Sequence, residues 1–218
     1  MNTSDRIKNI YRLLYKKYGS QDWWPGDSQL ECIVGAILTQ NTSWKNVEKA
    51  IHNLKNLNLI SIEKLKLITT QELAVLIRPS GYFNQKAIKI KNFIAFLLDN
   101  YKGSLDIMFD EDDDVIRNKL LSIKGIGPET ADCIMLYGGN KPIFVIDTYT
   151  YRILSRHEMV PEQTNYNEMQ ELFMDSLNSD PKMFNEYHAL LVKVGKEHCK
   201  KNDPQCAGCP LEEDPHTV

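Results

Sequence analysis

Three groups of residues in this 218-residue chain have the types and spacing to do chemistry. The first is Leu120-Leu121-Ser122-Ile123-Lys124-Gly125-Ile126-Gly127-Pro128-Glu129-Thr130-Ala131. Apolar residues close one helix at Ile123, Gly125 and Gly127 allow a tight turn with unusual backbone angles, and Pro128 stands where a second helix begins. Such a turn leaves backbone N–H groups at a fresh helix N-terminus, a geometry that holds a phosphate and reads no base. A Gly-x-Gly between helices also serves as a plain tight connection. The second group is Asp147, which follows the apolar run Phe144-Val145-Ile146. An Asp there can cap a helix or lend a carboxylate to a reaction. The third is Cys199, Cys206 and Cys209. Five cysteines, an odd number with three of them crowded together, argue for metal ligation rather than a disulfide framework.

The elements that must position these residues read as helices. Ile7, Ile10, Tyr11, Leu14 and Tyr18 recur at helical spacing, with Arg6, Lys8, Arg12, Lys16 and Lys17 on the other face. The break from Gly19 to Gly26 holds Trp23-Trp24-Pro25, a hydrophobic plug or a binding surface. Leu30 to Gln40 is apolar nearly all round and predicts a buried helix, followed by a polar break and a helix from Trp44 to Leu57. Ser61 to Leu67 and Thr70 to Ile77 are short helices, each with a Ser or Thr start and an acidic first turn. Asn84 to Leu98 carries Lys86, Lys89 and Lys91 beside an apolar face, and the acidic run Asp110 to Asp114 is a solvated helix start. Helices follow over Thr148 to Arg156, Asn167 to Leu177 and Pro181 to Lys196. With no strand alternation and no repeat, the fold class is all-α. The formal charge is −3, so a nucleic-acid protein of this composition must concentrate its positive charge locally. Short apolar runs interrupted by charge predict no membrane span and a soluble, cytoplasmic protein.

Leu-x-x-Ile-Lys-Gly-Ile-Gly-Pro-x-Thr-Ala, followed by Val-Ile-Asp-Thr, resembles the helix-hairpin-helix DNA glycosylases related to endonuclease III. The resemblance extends over nearly the whole chain. It implies two helical lobes: residues 22–133, a helical barrel with the hairpin, and residues 1–21 plus 134–218, a second lobe, with the active site in the cleft between them. Asp147 matches the catalytic carboxylate. Glu129, eighteen residues before it, stands where bifunctional members carry a lysine. Gln40 in Leu-Thr-Gln-Asn-Thr matches the Gln that enters the gap left by an extruded nucleotide; a helix cap is its plain alternative. Tyr82 in Gly-Tyr-Phe-Asn-Gln-Lys-Ala takes the place of the wedge opposite the flipped base, and Gly125 and Gly127 that of the phosphate grip.

Cys199-x6-Cys206-x2-Cys209 is similar to the first three ligands of the family's Cys-x6-Cys-x2-Cys-x5-Cys, which carries a 4Fe-4S cluster. The fourth position falls on Pro215; His216 is the nearest substitute and Asp214 a weaker one. A zinc site or a cluster-free remnant are the alternatives. The loop with Lys200 and Lys201 would lie on the phosphate backbone, while Cys32 and Cys133 read as core residues.

Trp-Trp-Pro, Leu-Thr-Gln-Asn-Thr, Arg-Pro-Ser-Gly and Lys-Gly-Ile-Gly-x-Glu together look like the family's 3-methyladenine glycosylases. The resemblance implies a monomer that binds double-stranded DNA, flips an alkylated purine between Trp24 and Trp44, and hydrolyses it off to leave an abasic site. With Glu129 in the lysine position, and Lys124 several residues too early, lyase activity is not expected. The alternatives are an endonuclease III-like enzyme for oxidised pyrimidines or mismatched bases, and a DNA-binding module without chemistry. An adenine glycosylase for oxidised-guanine mismatches would be expected to carry an added C-terminal domain.

Overall fold

The computed structural model describes residues 2–24 and 26–217; Pro25 of the Trp-Trp-Pro motif lies outside them. Every regular element among the described residues is helical. In chain order the α-helices are α1 (Thr3–Tyr18), α2 (Gln29–Leu38), α3 (Trp44–Asn56), α4 (Ile62–Leu67), α5 (Thr70–Leu76), α6 (Phe83–Tyr101), α7 (Leu105–Phe109), α8 (Asp113–Ser122), α9 (Pro128–Cys133), α10 (Thr148–Arg156), α11 (Tyr166–Met174) and α12 (Pro181–Glu197). A 3-10 turn, Arg78–Ser80, precedes α6, and a π-helical turn, Ile134–Gly138, continues α9.

Local chemistry sets the helix starts. Ser28, Ser61, Ser104 and Asp147 each accept a backbone N–H of the following turn. Thr69 with Glu72, and Asn165 with Glu168, close reciprocal capping boxes. The acidic run becomes the start of α8, with Asp112 as its cap. The helix α7 was not legible in the periodicity, because its five residues are too few to show a face.

The chain divides into two compact units, Trp24–Lys141 and Met1–Trp23 with Pro142–Val218. The first boundary falls between the two tryptophans. The second falls at Lys141, not after Cys133 as the resemblance implied: the π-helical turn packs on α2, so residues 134–141 belong with the hairpin. In this unit α2 is the buried centre, with all nine residues from Leu30 to Leu38 buried and α3, α6 and α9 around it.

In the other unit α12 packs on α1 and α10. Phe144 stacks on Phe173 with centroids 3.9 Å apart, and Tyr187 and Phe184 meet Phe144 edge-on. The Tyr187 hydroxyl donates to Ile7 O at 2.8 Å, joining α12 to α1. Among the described residues the segment before α10 has no strand partner, and side chains satisfy its backbone: Gln170 Nε2 donates to Phe144 O at 2.6 Å, and Ile146 N donates to the Tyr166 hydroxyl at 3.3 Å. Those bonds deliver Asp147 to the head of α10.

Candidate active site

Asp147 is both cap and carboxylate. The Thr150 N–H and hydroxyl donate to its Oδ1 at 2.8 and 2.9 Å. Its Oδ2 faces His188 Nε2 at 3.6 Å, with the two side chains 13% and 5% exposed. Burial alone would raise this carboxyl, but His188 and the two Thr150 donors outweigh it and hold Asp147 below the usual carboxylate range. The group is therefore an anion, with one oxygen fixed by its own helix and the other turned to α12. His188 gave only a weak sequence signal, a polar residue among Tyr187, Ala189, Leu190 and Leu191. It reaches Asp147 because α10 and α12 approach closely at Gly195, where a Cβ would lie 2.6 Å from the Tyr149 ring. His188 is two turns earlier on the same face of α12.

In the other unit the hairpin keeps its two glycines for different reasons. Gly125 has φ +97°, and a Cβ there would strike the Lys89 stem at 2.6 Å. Gly127 is extended, with φ −99° and ψ 179°, and a Cβ would meet open space. The fold therefore requires the first glycine and not the second, which corrects the reading that both serve the turn. A missing side chain at Gly127 matters to whatever approaches from outside. Pro128 opens α9, and Glu129, in its first turn, is exposed. Arg117 holds the two helices together through a bidentate pair with the fully buried Asp132, at 2.7 and 3.0 Å.

Gln40 lies on this hairpin rather than free in solvent. Its Nε2 donates to Thr130 Oγ1 at 2.7 Å and to Gly125 O at 3.3 Å, and Lys89 Nζ donates to its Oε1. It caps no helix. Tyr82 is 70% exposed, with φ +45° at the head of α6. A left-handed aromatic residue held out into water is unusual for a side chain that could be buried.

The aromatic residues correct one expectation. Trp24 stacks on Tyr137 at 4.3 Å and 3°, and touches Trp44 at 4.8 Å and 56°. A flat base between two parallel rings needs about 7 Å between them, so Trp24 and Trp44 do not form a sandwich. They wall a cavity of about 240 Å³, together with Gly35, Ile51, Glu31, Glu48 and Lys55. Lys55 pairs with Glu31 at 3.2 Å and with Asp27 at 2.5 Å. Trp23 belongs to the other unit, where the Lys196 ammonium lies 5.6 Å from its ring.

Cys199, Cys206, Cys209 and His216 line one narrow cavity of about 20 Å³. Arg156 donates to Cys199 Sγ at 3.3 Å and to Lys200 O and Lys201 O, while Arg152 donates to Cys199 O at 2.6 Å. Among the described residues, no three His, Cys, Asp or Glu side chains converge to hold a lone metal ion. Asp214 is corrected as a ligand candidate: Arg6 grips it at 2.5 and 3.2 Å, and His157 Nδ1 lies 2.7 Å from Oδ2. Its carboxylate is saturated.

The chain matches the family model of HhH-GPD superfamily base excision DNA repair proteins over residues 34–179. It is 44% identical to the candidate DNA repair glycosylase MJ1434 of Methanocaldococcus jannaschii, over 97% of this chain and 96% of that one. To endonuclease III of Sulfolobus acidocaldarius it is 29% identical over 83% and 78%. The solved H. pylori 3-methyladenine DNA glycosylase MagIII, bound to 1,N6-ethenoadenine, superposes with a TM-score of 0.77 at 28% identity, covering 90% of this chain and 98% of the other. The hairpin, the carboxylate at the head of α10 and these likenesses agree: the chain belongs to the helix-hairpin-helix superfamily of base excision DNA repair proteins, in its endonuclease III branch.

Proposed function

We propose that this protein is a monofunctional DNA glycosylase that flips alkylated purines such as 3-methyladenine out of double-stranded DNA and hydrolyses them from the sugar. The observation that carries the reading is Asp147, a carboxylate kept ionised in a largely buried setting, with Oδ1 fixed by Thr150. Breaking an N-glycosidic bond builds positive charge on the sugar, and a preorganised anion stabilises that charge and orients or deprotonates the attacking water. Gln40 and Tyr82 act as wedges in the duplex, and the hairpin at Gly125 and Gly127 takes a phosphate. Glu129 supplies no amine, so no Schiff base forms and the strand stays intact.

The cavity beside Trp24 and Trp44 supports the substrate class. Indole faces attract a cationic base, and Glu48 in the wall favours positive charge, Glu31 being paired with Lys55 of the same wall. N-alkylated purines are cationic and already activated as leaving groups, so little acid catalysis is needed. With the tryptophans in contact, the base stacks on an outer face of the pair rather than between its rings.

The Cys-x6-Cys-x2-Cys spacing supports a 4Fe-4S cluster held by Cys199, Cys206, Cys209 and His216, which line one cavity. When bound, such a cluster supplies structural cross-linking of the loop that carries Lys200 and Lys201. The Arg152 and Arg156 bonds to that loop hold its entry from α10. Loss of brown colour on Cys206→Ser is the expected outcome, and metal analysis that returns zinc overturns the assignment.

A panel of duplexes, each with one damaged base, tests the function. Alkylated purines should be released, with intact strands and no adduct trapped by borohydride. Preferred release of oxidised pyrimidines with a trapped adduct would overturn it. Trp44→Ala should lower release of alkylated purines about ten- to a hundredfold, with a smaller effect on binding to an abasic-site duplex.

A further inference from the structure

Lys86 is a buried cation with no part in the chemistry described above. It is 1% exposed, and its Nζ donates to Leu38 O at 2.9 Å and Ser80 O at 2.6 Å. Among the described residues no carboxylate forms an ion pair with it; its charge is met by the carbonyl ends of α2 and of the 3-10 turn, which carry partial negative charge. Leu38 is two residues before Gln40, and Ser80 two before Tyr82. One ammonium thus spans the roots of both wedge segments. One turn further along α6, Lys89 passes under Gly125 and donates to Gln40. Asn92 then donates to Lys124 O in the hairpin at 2.9 Å. A single face of α6 therefore ties together the Tyr82 turn, the Gln40 loop and the hairpin.

We propose that Lys86 is a positioning residue that fixes the separation of Gln40 and Tyr82, so that the two enter the duplex as one preorganised unit. This rests on the reading of Gln40 and Tyr82 as wedges. The physical argument is that a buried ammonium is a poor way to stabilise a fold. An apolar side chain of similar length is often equal or better, and burial with the neighbouring Lys89 lowers Lys86 to about 8. What the cation supplies, and methionine cannot, is two directional bonds to two separate loops. Two loops ordered in advance lose less freedom when they enter the DNA. Full burial also keeps Lys86 away from substrate, so its lowered basicity does not make it a Schiff-base amine.

The test uses a duplex with a tetrahydrofuran abasic-site analogue beside 2-aminopurine, whose fluorescence rises when a wedge unstacks it. Lys86→Met should slow that rise about tenfold, leave the KM for DNA nearly unchanged, and keep or raise the melting temperature. Lys86→Gln, with a shorter neutral donor, should lie between Met and wild type. The double variant Lys86→Met with Gln40→Ala should be no slower than Gln40→Ala alone. If Gln40→Ala and Tyr82→Ala are each impaired while Lys86→Met is native, the proposal is overturned. Native behaviour of Gln40→Ala and Tyr82→Ala instead removes the wedge reading beneath it. If both Lys86 variants melt below the assay temperature, the residue is a strut for the fold and the proposal fails.

Discussion

Two acidic residues in the same unit, Asp147 and Asp214, are both largely buried, both face a histidine and both are held below the usual carboxylate range. They differ in what remains open. Asp214 meets Arg6 through both oxygens and His157 through one, so no lone pair is left in a useful direction. Asp147 has Oδ1 taken by Thr150, while among the described residues Oδ2 has only His188, at 3.6 Å. The first arrangement ties the start of α1 to the end of the chain. The second keeps an anion ready for a ligand. Burial and a lowered pKa therefore do not by themselves distinguish a carboxylate open to a ligand from a saturated one; open hydrogen-bonding capacity does.

The contrast is sharpest in a pair of isosteric substitutions. Asp147→Asn should lower base release by about two orders of magnitude or more, because it removes the charge and little shape. DNA binding and melting temperature should change little. Unchanged single-turnover release would break the comparison by removing Asp147 from the chemistry.

Asp214→Asn should do the reverse. Losing one partner leaves Arg6 partly buried and unpaired, which destabilises by about 2–3 kcal/mol after allowing for the partial exposure of Arg6. For a chain of this length that is a fall in melting temperature of about 5–10 °C. Base release per folded molecule should stay at the wild-type level. A native melting curve would show that the Arg6 and His157 contacts contribute nothing net.

The smallest effects concern pH. Both carboxylates titrate lower in the folded than in the unfolded chain, so around and below about pH 4 the unfolded state binds more protons. Their stabilisation is fully present above the unfolded value and is lost as pH falls through the folded one. Acid unfolding monitored by circular dichroism should therefore be shallower in Asp214→Asn than in wild type. His188→Gln removes the interaction that most lowers Asp147, so the acid limb of base release should move to higher pH. An unmoved limb would mean that Thr150 alone holds the anion.

Much of this molecule was legible along the chain. Periodicity marked the long amphipathic helices, and Ser, Thr, Asp and Asn caps marked most starts, because those signals are local and repeat every turn. The hairpin and Asp147 were legible through motif spacing, since a turn and the helix that follows it are set by adjacent residues. Spacing likewise marked Cys199, Cys206 and Cys209 as one cluster, and they line one cavity.

Tertiary structure alone decided the partners. The approach of His188 to Asp147 depends on the closeness of α10 to α12 at Gly195, and residues 41 positions apart share no local signal. Asp214 read as a spare ligand until Arg6, at the opposite end of the chain, claimed it. Trp24 and Trp44 read as a sandwich until packing set them in contact and gave Trp24 to Tyr137. Lys86 read only as one of three lysines beside an apolar face, yet it is sealed between the roots of two loops. Sequence determines which groups are present and which helix carries each; packing over long separations decides whether a charge is saturated, stacked or left available.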